Sequence, residues 1–240
     1  GSEMCIRDRF EDRQLSNDCK AAEKKLVKAA SKVYKKFLAS CPAPDAPGSK
    51  QVTALMTITG LIDAPKADKE FLSINGAQGF STFYGYYMLE AMAMAGNYQG
   101  ALDVIREYWG AMIDLGATSF WEDFDINWIP NAAPIDELVP EGKKDIHGDC
   151  GAYCYVGFRH SLCHGWASGP TSWLSRHILG VEVIEPGCRQ VRITPHLGDL
   201  QWVKGTFPTP YGELQIYHEK QANGNVISEV KAPKGVSVIK

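Results

Sequence analysis

The stretch GVEVIEPG, residues 180–187, separates two different sequence patterns in this chain of 240 residues. Before it, apolar side chains recur at helical spacing, whereas after it the apolar runs are short and have a period of two. Helices in series followed by a run of strands predict a multidomain fold, α then β. We place the domain boundary in this stretch, which divides the chain into residues 10–182 and residues 183–240.

The part before the boundary contains five predicted helices, which glycine, proline and asparagine residues separate: 15–38, 51–62, 81–95, 98–115 and 171–179. The second of these is apolar on nearly every side, so we expect it to be buried and to be ended by Ala64-Pro65. Residues 120–149 form a long irregular segment. Such segments within a compact domain are more often functional than accidental.

The part after the boundary contains five predicted strands, at residues 190–194, 200–204, 213–219, 225–230 and 236–240. Turn sequences lie between them, for example Asn223-Gly224 and Pro233-Lys234-Gly235. Short strands joined by tight turns predict an antiparallel β domain.

Charge and hydropathy argue against several classes of partner. The formal net charge is −3, the isoelectric point is about 6.1, and no basic patch stands out, which disfavours nucleic acid and anionic membranes. No run approaches the roughly 18 apolar residues that a membrane span needs. The lysine-rich segment at residues 20–36 has apolar residues at helical spacing, which favours a solvated helix face over a binding arm.

The first nine residues, GSEMCIRDR, resemble the translated adapter strings that begin some truncated reading frames. We therefore expect residues 1–9 to be a non-native leader and the protein's own chain to begin further upstream.

An acidic cluster lies among aromatic residues in GATSFWEDFD, residues 116–125. Aromatic rings stack on the C–H faces of sugars, and carboxylates bind sugar hydroxyls or transfer protons. The motif therefore predicts a carbohydrate site that depends on Glu122, Asp123 or Asp125. Spacing alone does not select one of the three, and a solvated loop explains the acids equally well.

A second motif, LCHGWASGPT at residues 162–171, contains His164 and Trp166. A neutral imidazole can exchange a hydrogen bond with a sugar hydroxyl, although a packed histidine before a helix fits the same pattern. A core position is at least as plausible for Trp166. Helical spacing also favours core positions for three aromatic residues of the third helix, Phe83, Tyr84 and Tyr87.

Both motifs resemble the C-terminal half of bacterial α-L-rhamnosidases, and the resemblance extends from about residue 48 to the C-terminus. These enzymes are inverting glycoside hydrolases with an α/α toroid followed by a β-sandwich. The resemblance implies a partial (α/α)6 toroid over residues 10–182 and an antiparallel β-sandwich over residues 183–240. A closed toroid has about twelve helices, so the resemblance implies further helices upstream.

The same resemblance implies roles for individual residues. The Glu of the family's Gly-Ala-Thr-(Thr/Ser)-x-Trp-Glu motif activates water as general base, and it falls on Glu122, with the preceding aromatic residue on Trp121. His164 matches a sugar-contacting histidine, and Trp166 belongs to the same motif. The family's general acid lies in an upstream motif that has no counterpart in residues 10–116, so this chain is expected to be inactive alone.

The implied function is removal of terminal α-L-rhamnose from a carbohydrate substrate, without a metal or organic cofactor. Polysaccharide scavenging makes a secreted or periplasmic location the expectation.

Two non-catalytic alternatives stay open. One is a zinc-binding module built on the spacing C-x3-C-x5-H-x2-C-H, residues 150–164, although it lacks paired C-x2-C knuckles. The other is a carbohydrate-binding β domain with Trp202 as its platform, although strand alternation predicts that this residue is half-buried.

Overall fold

The computed structural model describes residues 12–40, 46, 48–146 and 160–239. The chain is divided into two compact units, Gly1–Ala46 and Pro47–Lys240. The predicted leader at residues 1–9 lies outside the described residues. Among the helices that are described, none combines the length and the apolar character needed to cross a membrane.

In the described part of the first unit, a long helix, α1, extends over Arg13–Ser40. The predicted solvated face is confirmed, because every lysine of residues 20–36 is exposed. Apolar Leu26 and Val33 on the same helix are exposed as well.

The second unit contains the other helices: α2 (Ser49–Ile58), α3 (Ala64–Ala67, continued by a π-helical turn at Asp68–Leu72), α4 (Gly85–Met94), α5 (Tyr98–Asp114) and α6 (Gly169–Trp173, continued by a π-helical turn at Leu174–Ile178). All five predicted helices are confirmed, with ends that differ by a few residues. Ala64-Pro65 begins α3 rather than only ending the preceding helix. Proline is tolerated in a first helical turn, where Asp63 accepts a hydrogen bond from the Lys66 amide at 3.1 Å.

Helix α2 is not buried on all sides, so that prediction is wrong. Its buried face is small or polar and consists of Ser49, Lys50, Thr53, Ala54 and Thr57, whereas Leu55 and Ile58 are exposed. Apolar character predicted burial of the whole helix, but only one face packs against α4 and the residues before it.

The main core lies between α4, α5 and α6. Met88 and Leu89 of α4 and Tyr108 of α5 are fully buried, together with Trp173 of α6. Trp173 donates its indole N–H to the Leu89 carbonyl at 3.0 Å, and Trp109 donates to the Ala167 carbonyl at 3.0 Å. These bonds satisfy buried donors and fix α6 and the turn before it against the other two helices.

The irregular segment after α5 is confirmed up to Ile146. It contains a 3-10 helix (Ile126–Asn131) and two short paired strands, β1 (Ala132–Ala133) and β2 (Lys144–Asp145). The ring of Phe124 is buried in the core, and Tyr108 donates a hydrogen bond to its carbonyl. The start of this segment is therefore fixed against α5.

The remaining strands form two three-stranded sheets: β3 (Val181–Val183), β4 (Gln190–Ile193) and β8 (Ser237–Ile239) in one, and β5 (Trp202–Thr209), β6 (Gly212–Lys220) and β7 (Val226–Lys231) in the other. The second sheet is antiparallel throughout, as predicted. In the first sheet β4 pairs with β8 in parallel, which differs from the prediction. Strand β3 lies across the predicted boundary between residues 182 and 183 and was missed.

Strand β5 alternates between exposed and half-buried positions. Trp202 lies on its exposed side and is 60% exposed, so the prediction of a half-buried side chain is wrong. Because Trp202 and Glu219 are register partners, their side chains share the outer face of this sheet.

A bidentate ion pair links α5 to the loop before β5. Arg106 contacts the two carboxylate oxygens of Asp199 at 2.7 and 3.0 Å, and Gln99 accepts a hydrogen bond from the Asp199 amide at 2.7 Å. The contacts come from one face of α5, so the helix positions the β strands that follow.

Candidate active site

Glu122 lies in the irregular segment between α5 and the 3-10 helix, with its side chain largely buried. Its amide donates to the Ser161 carbonyl at 2.8 Å, and its Oε2 accepts a hydrogen bond from the Ser161 amide at 2.8 Å. Its carbonyl accepts hydrogen bonds from the Thr82 hydroxyl at 2.5 Å and from the Trp166 indole at 2.8 Å. Main chain and carboxylate are thus both held in place, the latter by a charge-assisted bond.

His164 lies beside this carboxylate. Its amide donates to the Phe120 carbonyl at 2.7 Å, which joins the two motifs through their main chains. The imidazole Nδ1 is 3.9 Å from Glu122 Oε2, and the side chain is about one-third exposed. A ligand that reaches this edge of the imidazole therefore lies close to the carboxylate.

Trp166 completes the group. It lies in a 3-10 turn (Gly165–Ala167), its ring centroid is 4.3 Å from that of His164, and 46% of the residue is exposed. The exposed ring differs from a core position. Trp166 therefore holds the Glu122 carbonyl through its indole N–H while part of its ring faces solvent.

Trp121 differs from its predicted role. It is completely buried and packs edge-on against Phe124, with ring centroids 5.9 Å apart. A ring with no exposed surface cannot stack on a sugar in this structure. Its indole N–H has no hydrogen-bond acceptor among the described residues. The contact between its ring and that of Phe124 fixes Trp121, which directly precedes Glu122.

The structure also distinguishes the acidic neighbours of Glu122. Asp125 caps the 3-10 helix, because its Oδ1 accepts hydrogen bonds from the Asn127 amide at 2.9 Å and from the Asn127 side chain at 2.7 Å. Asp123 is buried. Of the three acids, Glu122 is the one whose carboxylate lies next to His164.

Thr82 and Ser161 were missed by sequence reasoning. They contact Glu122 although they lie 40 and 39 residues away from it along the chain. No periodicity or local motif marks either residue, so the sequence offered no signal for them.

The zinc alternative is only partly covered by the structure, because Cys150 and Cys154 lie outside the described residues. In the part that is described, no three His, Cys, Asp or Glu residues are grouped to hold a metal ion. His160 is buried, whereas Cys163 is exposed. The zinc site stays a prediction.

Comparison with known proteins agrees with the sequence resemblance. Residues 180–239 match the family described as bacterial alpha-L-rhamnosidase C-terminal domain. None of the curated proteins matches the chain.

Solved structures match over more of the chain. The family GH78 rhamnosidase of Bacillus sp. GL1 is 26% identical, with a TM-score of 0.59 over 79% of this chain and 18% of that one. The native α-L-rhamnosidase of Aspergillus terreus is 20% identical, with a TM-score of 0.61 over 79% of this chain and 21% of that one. The Streptomyces avermitilis α-L-rhamnosidase complexed with L-rhamnose is 17% identical, with a TM-score of 0.59 over 79% and 17% of the two chains.

The last two similarities, below 25% identity, show the fold alone. The chain spans about a fifth of the length of these enzymes. Residues 180–239 are thus similar to the C-terminal domain of bacterial α-L-rhamnosidases, which supports the family resemblance that the two motifs indicated.

Proposed function

We propose that this chain carries the water-activating half of an inverting α-L-rhamnosidase site, with Glu122 as general base. The observation that supports the proposal most is the grouping of three side chains from the two motifs. A largely buried carboxylate, an imidazole 3.9 Å from it and a half-exposed indole lie together, and hydrogen bonds with main-chain groups hold the carboxylate and the indole.

An inverting glycosidase needs two carboxyl groups about 6.5–9.5 Å apart, one to activate water and one to protonate the leaving oxygen. In our proposal Glu122 accepts the proton of the attacking water, and the bond between the anomeric carbon and the leaving oxygen breaks on the opposite face. The acid is supplied by residues outside this chain. No metal or organic cofactor takes part.

The other site residues have supporting roles. His164 exchanges a hydrogen bond with a hydroxyl of the rhamnose, and Trp166 offers the exposed part of its ring to a C–H face of the sugar. Trp121 is a positioning residue, because it is completely buried and directly precedes Glu122 in the chain. In this proposal the described helices of the second unit form part of an (α/α)6 toroid, the two sheets form a sandwich, and the enzyme is secreted or periplasmic.

The test uses a chain extended at its N-terminus until it includes the second carboxylate. Glu122→Gln keeps the shape but cannot accept a proton from water, so release of nitrophenol from an aryl α-L-rhamnoside should fall by about 10²–10⁴. Asp125→Asn is the matched control, because an amide oxygen can still cap the 3-10 helix, and its activity should stay near that of the wild type. The first sugar released, followed by NMR, should be the β anomer.

Full activity of Glu122→Gln would exclude Glu122 as the base. An equal loss in both variants would show that the segment, rather than one carboxylate, is needed. An α anomer as first product would exclude inversion.

A binding module is the second candidate function, favoured by the exposed Trp202. This residue shares a sheet face with Glu219, whose Oε2 accepts a hydrogen bond from Tyr217 at 3.1 Å, so a ring lies beside polar groups. Retention on an insoluble polysaccharide that Trp202→Ala abolishes and Glu122→Gln preserves would support this candidate.

A further inference from the structure

A groove of about 840 Å³ lies beside the candidate active site, between α4, α6 and the strands β3 and β5. Its volume lies in the range of about 300–1,000 Å³ that is typical of small-molecule sites. Four aromatic side chains form one wall, Phe83, Tyr86, Tyr87 and Trp166. Their arrangement and the groups opposite them indicate what class of ligand fits.

The aromatic wall is continuous with the site. The distance between ring centroids is 5.5 Å for Phe83 and Trp166. It is 5.8 Å for Phe83 and Tyr87, and 5.4 Å for Tyr87 and Tyr86. Phe83 is exposed, contrary to the core position that helical spacing favoured. The wall therefore begins at the ring next to His164 and leads away from Glu122.

Hydroxyl groups of the segment that includes α6 line another side. Ser168, Ser172 and Ser175 each donate their hydrogen to a carbonyl of their own turn, at 2.7, 3.0 and 3.1 Å. A hydroxyl whose hydrogen is used in this way still has lone pairs with which it can accept. This side of the groove therefore suits a ligand rich in hydroxyl donors.

The charged groups of the groove are already balanced. Arg176 contacts Glu90 at 3.1 Å, and Glu182 contacts Arg192 at 2.7 Å. Burial and the charge of Glu90 raise the pKa of Tyr86, so its hydroxyl stays protonated and can donate. The described lining residues thus offer aromatic faces and hydrogen-bond donors and acceptors, and the two charged side chains among them are each paired with an opposite charge. This combination fits a neutral polyhydroxylated ligand better than an anion.

We propose that this groove binds the sugar unit to which the terminal rhamnose is attached. The inference rests on the proposed function, since it places rhamnose at Glu122 and His164 and the next sugar beyond Trp166. The enzyme then selects rhamnose linked to a second sugar over rhamnose linked to a small apolar group. Trp166 separates the two positions, because it contacts the site on one side and lines the groove on the other.

The test measures the binding of sugars to the chain of residues 1–240 by NMR, through the indole N–H signals of its tryptophans. The probes are L-rhamnose and the disaccharide α-L-rhamnosyl-(1→6)-D-glucose. The disaccharide should bind at least about tenfold more tightly than rhamnose. Ser172→Arg places a long side chain in the groove from an exposed position, so it should remove this preference and leave the affinity for rhamnose unchanged.

Thr206→Arg is the matched control, because Thr206 is an exposed hydroxyl residue of β5 that does not line the groove. It should leave both affinities unchanged. Equal affinities of the wild type for the two sugars, or an undiminished preference in Ser172→Arg, would overturn the groove as a sugar site.

Failure of the groove and failure of the proposed function give different results. If Glu122→Gln loses hydrolysis but the wild type shows no preference for the disaccharide, the proposed function is supported and the groove is overturned as a sugar site. A chain whose disaccharide preference depends on Ser172 while Glu122→Gln has no effect on hydrolysis supports the groove and overturns the base.

Discussion

Contacts across long stretches of sequence hold each residue of the candidate site. The Glu122 carbonyl receives hydrogen bonds from residues 40 and 44 positions away, and its carboxylate is held by a residue 39 positions away. Orientation of this kind matters for catalysis, because a displaced base loses most of its effect on the reaction. Substitutions at the site can therefore be divided into those that remove a reacting group and those that loosen its support.

His164→Ala tests the first kind in an active, extended chain. The imidazole is partly exposed and contacts the Trp166 ring, so its loss should remove a hydrogen bond to substrate without unfolding the protein. We expect a loss of about 1–3 kcal/mol in transition-state binding, measured as kcat/KM. The control is Cys163→Ala at the exposed neighbouring position, which should change neither kcat/KM nor the melting temperature.

An unchanged kcat/KM in His164→Ala would make the residue structural. A large drop in the melting temperature would lead to the same conclusion.

Lys50 gives a prediction about stability. It is buried on α2, donates to the Gly76 carbonyl at 2.7 Å and lies 5.1 Å from the Phe80 ring centroid. Burial lowers the pKa of Lys50 to about 8, and the charge of Glu107 only partly opposes this. Between pH 8 and pH 10.5 the unfolded state binds more protons at this position, so stability should rise with pH by up to about 3 kcal/mol.

Urea unfolding at pH 7.5, 9 and 10.5 measures the effect as a difference between wild type and Lys50→Met. The free energy of unfolding of the wild type should rise with pH relative to that of Lys50→Met. Lys204→Met, at an exposed position of β5, is the control and should show no such change. A difference for Lys50→Met that is independent of pH would contradict the prediction.

At the scale of residues, sequence reasoning could find side chains with recognisable chemistry but not their surroundings. Glu122, His164 and Trp166 belong to short motifs, and the structure brings them together. The complete burial of Trp121 could not be deduced, because it depends on packing against residues from other parts of the chain. The same holds for the exposure of Phe83, where helical spacing predicted the core.

At the scale of elements, the junction between α6 and β3 depends on a close main-chain approach at Gly180. This residue has φ = 70°, and a Cβ there would lie 2.4 Å from the Thr194 carbonyl carbon and 2.5 Å from the Pro195 nitrogen. The Thr194 amide donates to the Gly180 carbonyl at 2.9 Å, next to the pairing of β3 with β4. A side chain at this position must displace main chain, which cannot move as a flexible side chain does.

Gly180→Ala should therefore destabilise the chain strongly. Gly187→Ala is the matched control, because Gly187 has φ = 75° but a Cβ added there would meet no atom within 4 Å. Both substitutions cost about 1–2 kcal/mol for the left-handed conformation, and Gly180→Ala should cost about 1–3 kcal/mol more for the close contact. Urea unfolding of both variants measures the difference, and equal losses would show that the approach at Gly180 relaxes easily.

Sequence patterns predicted the elements well where the pattern was local. Helices α4 and α5 and the antiparallel sheet of β5, β6 and β7 followed from spacing and turn residues. The parallel pairing of β4 with β8 could not be predicted, because it joins strands that are distant in sequence. Strand β3 is only three residues long and directly follows a helix, so its period was too short to recognise.

At the scale of the whole molecule, the chain spans about a fifth of the length of the solved rhamnosidases. Apolar Met94 of α4 and Ile113 of α5 are exposed, as are Leu55 and Ile58 of α2. In our proposal further toroid helices cover part of this surface and supply the general acid. The domain division at residues 182 and 183 also stays a prediction at this scale.

The last prediction follows from this division of the site. The chain of residues 1–240 should release no detectable rhamnose from α-L-rhamnosyl-(1→6)-D-glucose, because the sugar alkoxide would have to depart unprotonated. Loss of a general acid typically costs about 10²–10⁴ in rate. The control is the extended chain assayed under the same conditions, whose activity Glu122→Gln should lower by about 10²–10⁴. Robust turnover by the 240-residue chain would show that the acid lies within it, and Asp123, buried next to the proposed base, would then be the first carboxylate to substitute.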